Sequence, residues 1–331
     1  MCTAAKKSSE KYIGVDVGGT NTTFALADEN KKILKKIEIK TNTECSFQEI
    51  MKVFSDNIHL LAEKAAIPWP EITAAAFGFP GPLNLEEGKT ERVVTLDWQN
   101  EPIESAVSSI MGEVPFYIQN DANLAALAEA TSGAAEDAEN VVYITVSTGV
   151  GSGLIIGGEI YSGKKGFAGE IGHMTVAPAG YTCRCGNSGC LEAMASGTAL
   201  TRKAEEKINR GVPTMIADYL PEDNTRPSGE MITIAAREGD QLALDLFHEI
   251  GSYLGIAISN VINFISPDYI VIGGGVSKAG DLLFNPIKKE ISYRALPSSS
   301  DYTEIVQADY QEEAGIIGAI ELCLKNKQKR Q

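Results

Sequence analysis

His173 is followed by Cys183-Arg-Cys185-Gly-Asn-Ser-Gly-Cys190, so three thiols and one imidazole fall within 18 residues. Three thiolates with one imidazole form a tetrahedral structural zinc set, and Gly186 and Gly189 ease a loop around an ion. Free core cysteines or a redox pair are the alternatives, although a C-x-C pair is awkward to close as a disulfide. A second chemical feature is the turn Asp16-Val-Gly-Gly-Thr-Asn21. Paired glycines let backbone N–H groups approach a phosphate, a threonine hydroxyl adds a donor, and an aspartate can hold hydrated Mg²⁺. Alone, such a turn reads equally well as an ordinary hairpin. It has a counterpart, however, in Ser147-Thr-Gly-Val-Gly-Ser-Gly153. Two glycine–threonine turns at equivalent places suit the two sides of one polyphosphate clamp. The third feature is Asn120-Asp121 at the end of an apolar run. Asp121 reads as a helix N-cap or as a carboxylate that accepts a proton from a substrate hydroxyl. Glu170 and Glu192 flank the cysteine cluster and read as ligand groups or as solvated loop residues. No G-x-x-x-x-G-K-[ST] loop is present, since Leu83 stands where its first glycine belongs, and Lys278 breaks a G-x-G-x-x-G reading of the Gly273 triplet.

The elements that must carry these residues can be read from periodicity. Tyr12–Val17, Thr22–Ala27 and Ile33–Ile39 read as a strand meander, and Phe47–Ala66 as an amphipathic helix. Thr73–Phe79 is a buried strand, 103–111 a helix, Val114–Gln119 a strand and Ala122–Ala130 a helix. The opening pattern then recurs: Tyr143-Ile-Thr-Val-Ser-Thr-Gly matches Tyr12-Ile-Gly-Val-Asp-Val-Gly, with strands at Val141–Val146 and Gly153–Gly157. Helical segments follow near 196–210, 230–238 and 240–264, with a strand at Tyr269–Ile272 and a last helix at 313–327. A meander that restarts halfway predicts two similar α/β domains facing one another across a cleft. The smaller spans 1–120 and takes back the C-terminal helix 313–327, and the larger spans 121–312 with the cysteine loop.

Composition narrows the function class. The 331 residues carry a net charge of −15, which disfavours nucleic acid and anionic lipid as partners. Hydrophobic residues make up 44% and charged residues 22%, values of a globular protein. The polar opening MCTAAKKSSEK is not a secretory signal, no apolar run is long enough to span a membrane, and clustered cysteines suggest metal before disulfides. The expectation is a cytoplasmic protein acting on a small molecule.

Taken together, DVGGTNT at 16–22, GFPGP at 78–82, NDAN at 120–123, STGVGSG at 147–153, GFAGEIGH at 166–173 and CRCGNSGCLE at 183–192 resemble the ROK sugar kinases. The resemblance covers nearly the whole chain and implies the two-domain actin-like, ribonuclease H-like ATPase fold. It implies an ATP-dependent hexose kinase, most similar to the zinc-containing glucokinases, with Asp121 as general base. Asn120, Asp121, Glu170, His173 and Glu192 would then bind the sugar. Gly18, Gly19 and Thr20, with Thr148 and Gly149, would meet the ATP phosphates, and Asn21 and Gly151 belong to the same turns. Asp16 would help to hold Mg²⁺, and Gly274 and Gly275 would lie on the adenosine side. His173, Cys183, Cys185 and Cys190 would hold structural zinc, and a homodimer is expected. Thr95 departs from the pattern, because many glucokinases of the family carry asparagine there. Kinases for fructose, mannose or N-acetylhexosamines share much of it. The family's sugar-responsive repressors place a winged helix-turn-helix before this fold, whereas only about 11 residues precede it here. A sugar-binding module without catalysis is the remaining non-enzyme reading, and Asp121 argues against it.

Overall fold

The computed structural model describes residues 10–93, 95–221 and 226–329, so that Cys2 lies outside them. The chain divides into two compact units. One comprises the chain up to Gly133, the segment Glu159–Ala168 and the chain from Glu312 onward; the other comprises Ala134–Gly158 and Gly169–Gln311.

The first unit is built on strands β1 (Lys11–Val17), β2 (Asn21–Asp28), β3 (Ile33–Lys40) and β4 (Ile72–Phe79), with β5 (Phe116–Asn120) at the far edge. Their order in the sheet is β3-β2-β1-β4-β5. β1, β2 and β3 pair antiparallel, while β4 lies parallel to both β1 and β5. Near-continuous apolar runs in β1 and β4 fit strands covered on both faces. On one face α1 (Phe47–Lys64) buries Ile50, Phe54, Ile58 and Leu61, and its start is fixed by a capping box between Ser46 and Glu49. On the other face the C-terminal helix Ala314–Gln328 and α3 (Asp121–Ser132) pack around Leu124, Ala319 and Ile320 with Tyr12 and Ala76. That packing is why α3, which follows residue 120, belongs with the first unit. α2 (Ile103–Met111) buries Val107 and Met111 in the core shared with α1.

The second unit repeats the theme with β6 (Val141–Val146), β7 (Val150–Ile156), β8 (Tyr269–Gly273) and β9 (Glu304–Gln307). β7 runs antiparallel to β6, and β6, β8 and β9 run parallel. Helices α4 (Leu191–Ala195), α5 (Gly197–Asn209), α6 (Gly229–Arg237), α7 (Gln241–Ile265) and α8 (Asp281–Arg294) complete it. The core is centred on α7, whose Leu246, Ile250, Leu254 and Ile258 are buried with Ile144 and Ile272 of the sheet.

Several elements differ from the periodicity reading, among them β9 and α4, which it lacks. β7 begins at Val150, because the Ser147 N–H bonds the Gly149 carbonyl at 2.9 Å and closes the turn in three residues. α8 is absent from that reading, since Pro286 interrupts its pattern; it is accommodated where Gly251 of α7 leaves room for the ring. Among the described residues no helix is long and apolar enough to cross a membrane.

Candidate active site and metal centre

Parallel pairing brings the chemistry of the first unit to one end of its sheet. Asp16 of β1 pairs across to Gly78 of β4, and Phe79 pairs across to Asn120 of β5. Carboxyl ends of parallel strands are where open α/β sheets bind ligands. Gly78 permits the crowding there: a Cβ on it would stand 3.5 Å from the Asp121 Cα and 3.6 Å from Asp16 Oδ1. A Cβ on Gly315, in the first turn of the C-terminal helix, would collide with the Asp16 carboxylate. Asp16 and Asp121 are therefore neighbours around Gly78.

Asn120, not Asp121, is the helix N-cap. Its side-chain oxygen accepts the Asn123 N–H at 3.1 Å, and its amide donates to the Gly81 carbonyl at 3.2 Å. One amide proton and one lone pair remain on Asn120 for a ligand. Asp121 is the first helical residue, half-buried, and its Oδ1 accepts the Ala122 N–H at 2.8 Å.

The Asp16-to-Asn21 turn is closed by a Gly18 N–H bond to the Asn21 carbonyl at 2.9 Å. Thr41, which the sequence did not single out, secures it from the end of β3 by donating to the Gly18 carbonyl at 2.8 Å. Thr20 is exposed, whereas the Asn21 side chain is tied to Glu38 at 2.9 Å. Thr95 lies over Gly19, since a Cβ there would be 3.3 Å from the Thr95 Cβ.

Removal of water from around its carboxyl group pushes Asp16 up to about 6, with Lys36 opposing, even though part of the residue remains accessible. An unfolded aspartate titrates near about 3.9. Between these values the native chain holds a proton that the unfolded chain has lost, so rising pH costs stability, and the full penalty is present above about 6. Asp16→Asn is thus expected to raise the melting temperature by a few degrees at pH 8 without Mg²⁺ or nucleotide. Near pH 4 it changes little, and thermal melts across that range provide the check.

In the second unit the Ser147–Gly149 turn is held by the start of α5. The Gly197 N–H donates to the Ser147 carbonyl at 2.7 Å and the Thr198 hydroxyl to the Thr148 carbonyl at 2.7 Å. Gly151 is in the β6–β7 ladder opposite Thr145. Gly274, which follows β8, packs against the Val146 carbonyl, so that Gly274 and Gly275 sit beside this turn. Glu192, in the first turn of α4, reaches the same turn, and its Oε2 accepts the Val150 N–H at 3.2 Å. A Cβ on Gly149 would strike that oxygen, so a bulky residue at 149 would displace Glu192 as well as any phosphate.

His173, Cys183, Cys185 and Cys190 come together, with their ligand atoms all within 4.8 Å of one another. The Cys185 and Cys190 sulfurs are 3.7 Å apart and the His173 Nδ1 is 3.8 Å from the Cys183 sulfur. A tetrahedron with Zn–S bonds of about 2.3 Å separates its sulfurs by roughly 3.8 Å, so the four residues fit zinc. Burial pushes the Cys190 thiol up to about 12 and raises Cys183 too, so a cation is needed to keep both as thiolates near neutral pH. The loop depends on Gly189, whose φ is 71° and whose Cα abuts the Ala177 carbonyl. With Nδ1 facing the thiols, His173 turns Nε2 toward Glu170 Oε2, 3.9 Å away. Loss of water raises the Glu170 carboxyl above its ordinary value; the His173 ring opposes the shift and the Glu192 carboxylate adds to it. Glu170, His173 and Glu192 therefore share one locale, with 44% of the Glu170 side chain still accessible.

The model of the ROK family matches residues 12–326. A glucokinase from Halalkalibacterium halodurans is 37% identical over 94% of this chain and 94% of its own length. The crystal structure of a ROK family glucokinase from Streptomyces griseus, in complex with glucose and AMPPNP, superposes with a TM-score of 0.82 at 30% identity. That match covers 94% of this chain and 98% of the other. A ROK family transcriptional regulator, a homologue of the E. coli MLC protein, superposes with a TM-score of 0.86 at 28% identity, covering 97% of this chain and 80% of that one. With two sheet-centred α/β units, the fold is the actin-like ATPase fold of these kinases.

Proposed function

The chain belongs to the ROK family, and on that premise we propose that it is an ATP-dependent hexose kinase with glucose as the preferred acceptor. The observation that carries this reading is the placement of Asp121 beside Asp16 at the carboxyl ends of β1, β4 and β5, with the helix cap supplied by Asn120. With the cap on its neighbour, the Asp121 carboxylate can act as a base toward a sugar hydroxyl, and a carboxylate beside a glycine turn can hold a hydrated cation.

In the proposed reaction the sugar 6-hydroxyl oxygen attacks the γ-phosphorus, its proton passes to Asp121, and the bond to the bridging oxygen breaks to leave ADP. Gly18, Gly19, Thr20, Thr148 and Gly149 hold the phosphates, with Asn21 and Gly151 shaping their turns and Gly274 and Gly275 lining the adenosine. Asp16 would hold hydrated Mg²⁺, which would supply neutralisation of phosphate charge. Asn120, Glu170, His173 and Glu192 hold sugar hydroxyls. His173, Cys183, Cys185 and Cys190 would hold zinc, which would fix the imidazole and leave Nε2 for the sugar. A cytoplasmic homodimer completes the proposal.

The repressor reading is favoured by the similarity to the MLC homologue. Against it stand the acidic charge of −15 and the match to a glucokinase over 94% of that protein's length. Rates of sugar-phosphate formation with glucose, mannose, fructose, N-acetylglucosamine and N-acetylmannosamine test the assignment. The expected outcome is the highest kcat/KM with glucose and no sequence-selective retention of DNA at physiological salt. A preference for another hexose would move the substrate, and sugar-sensitive retention of specific DNA would reverse the class.

A further inference from the structure

We propose that Arg202 is a positioning residue for the sugar site, clamping the start of the cysteine loop to the helix that carries Glu192. This rests on the zinc and sugar roles proposed above. The guanidinium carbon of Arg202 lies 3.8 Å from the centroid of the Tyr181 ring, and its Nη2 donates to the Ala193 carbonyl at 2.7 Å. Tyr181 opens the loop: its carbonyl accepts the Gly189 N–H at 2.8 Å, and its ring packs on Cys183, Cys190 and Ala193. Ala193 is the residue after Glu192 in α4. One side chain thus grips two elements that converge on His173 and Glu192.

The need for this clamp follows from the backbone. The Ala193 carbonyl would ordinarily accept the N–H four residues on, from Gly197. That N–H is instead bonded to the Ser147 carbonyl, where it holds the Ser147–Gly149 turn. Arg202 supplies the partner that Ala193 loses. Without it, the Gly197 N–H has a competing acceptor and the buried carbonyl is unsatisfied. The site is built rather than incidental. The Tyr181 hydroxyl donates to Glu206 Oε2 at 2.7 Å, and Arg202 Nε lies 3.9 Å from the other Glu206 oxygen. Lys203, 4% exposed and paired with Glu249, has its Nζ 5.4 Å from the centroid of the same ring. Only a planar, delocalised cation can stack on the ring and donate sideways at once, so lysine at 202 would not substitute.

The experiment uses zinc-loaded full-length protein and measures two quantities: zinc release to a chromogenic chelator, and the kinetic constants for glucose and MgATP. Arg202→Ala and Tyr181→Leu are each expected to speed release and to raise the glucose KM by about 10-fold, the lower end for loss of an orienting partner. Their kcat at saturating glucose stays within about twofold, because neither residue touches the reacting atoms. Arg202→Lys behaves like Arg202→Ala and guards against a misfolded alanine variant, while Tyr181→Phe, which keeps the ring, changes less than Tyr181→Leu. The double variant is no worse than either single one, as expected for two halves of one contact. Wild-type release rate and glucose KM in both Arg202 variants, or effects that add in the double variant, overturn the proposal. A wild-type chain that binds no zinc would instead overturn the metal assignment on which it rests, a distinguishable result.

Discussion

Asp121→Asn is expected to lower kcat by about 10²–10⁴-fold, the range of a general base, while glucose and ATP still bind. The substitution is a clean one here. Asn120 caps α3, so the helix start does not depend on the carboxylate, and an asparagine Oδ1 can still accept the Ala122 N–H. The melting temperature and the glucose Kd should both move little, because the cap is retained and an amide also hydrogen-bonds a hydroxyl. What disappears is the acceptor for the hydroxyl proton as the bond to phosphorus forms. Melting temperature, glucose affinity and kcat measured on one preparation separate a base from a structural residue. A variant keeping more than about a tenth of wild-type kcat would defeat the assignment, since a general base typically contributes about 10²-fold or more.

The second large effect is expected at the metal. Cys185→Ser should reduce zinc from about one ion per chain and raise the glucose KM by about 10–100-fold, with a smaller effect on kcat. Cys185 is the informative ligand because it is exposed, whereas Cys183 and Cys190 are buried in a small cluster and their loss would also disturb packing. In the proposed reaction His173 holds substrate and does no chemistry, so the KM should bear the effect: a metal on Nδ1 would aim Nε2, and its loss would free the ring. Elemental analysis and initial rates on the same samples decide the matter. Full zinc content with an unchanged KM would remove Cys185 from the ligand set.

Local features of this site were legible because each is written in contiguous residues. The glycine–threonine turn at 16–21 and the cysteine loop at 183–190 carry their geometry in their own spacing, and buried strands such as Val141–Val146 read directly as apolar runs. What spacing cannot express is register and distance along the chain. The neighbourhood of Asp16 is set by pairing to Gly78 and by Gly315, about 300 residues away. The grip of Glu192 on the Val150 N–H, and of Arg202 on Tyr181, likewise join segments with no shared periodicity. The sequence suggested Asp121 as the cap, whereas the backbone geometry gives that role to Asn120, an equally good capping residue. α8 was hidden by Pro286, and β9, four residues long, is too short for alternation to register. The glycines at 151 and 153 suggested a longer loop, but both pair with β6.

Transfer of phosphate from ATP to a hexose can be followed by phosphorus NMR of the purified wild-type protein with MgATP and glucose. The expected spectrum shows the γ-phosphate resonance giving way to a phosphomonoester on the sugar 6-oxygen, one per ADP formed, only when glucose is present. Loss of the γ-phosphate to inorganic phosphate alone, or an unchanged ATP spectrum with every hexose offered, would contradict it.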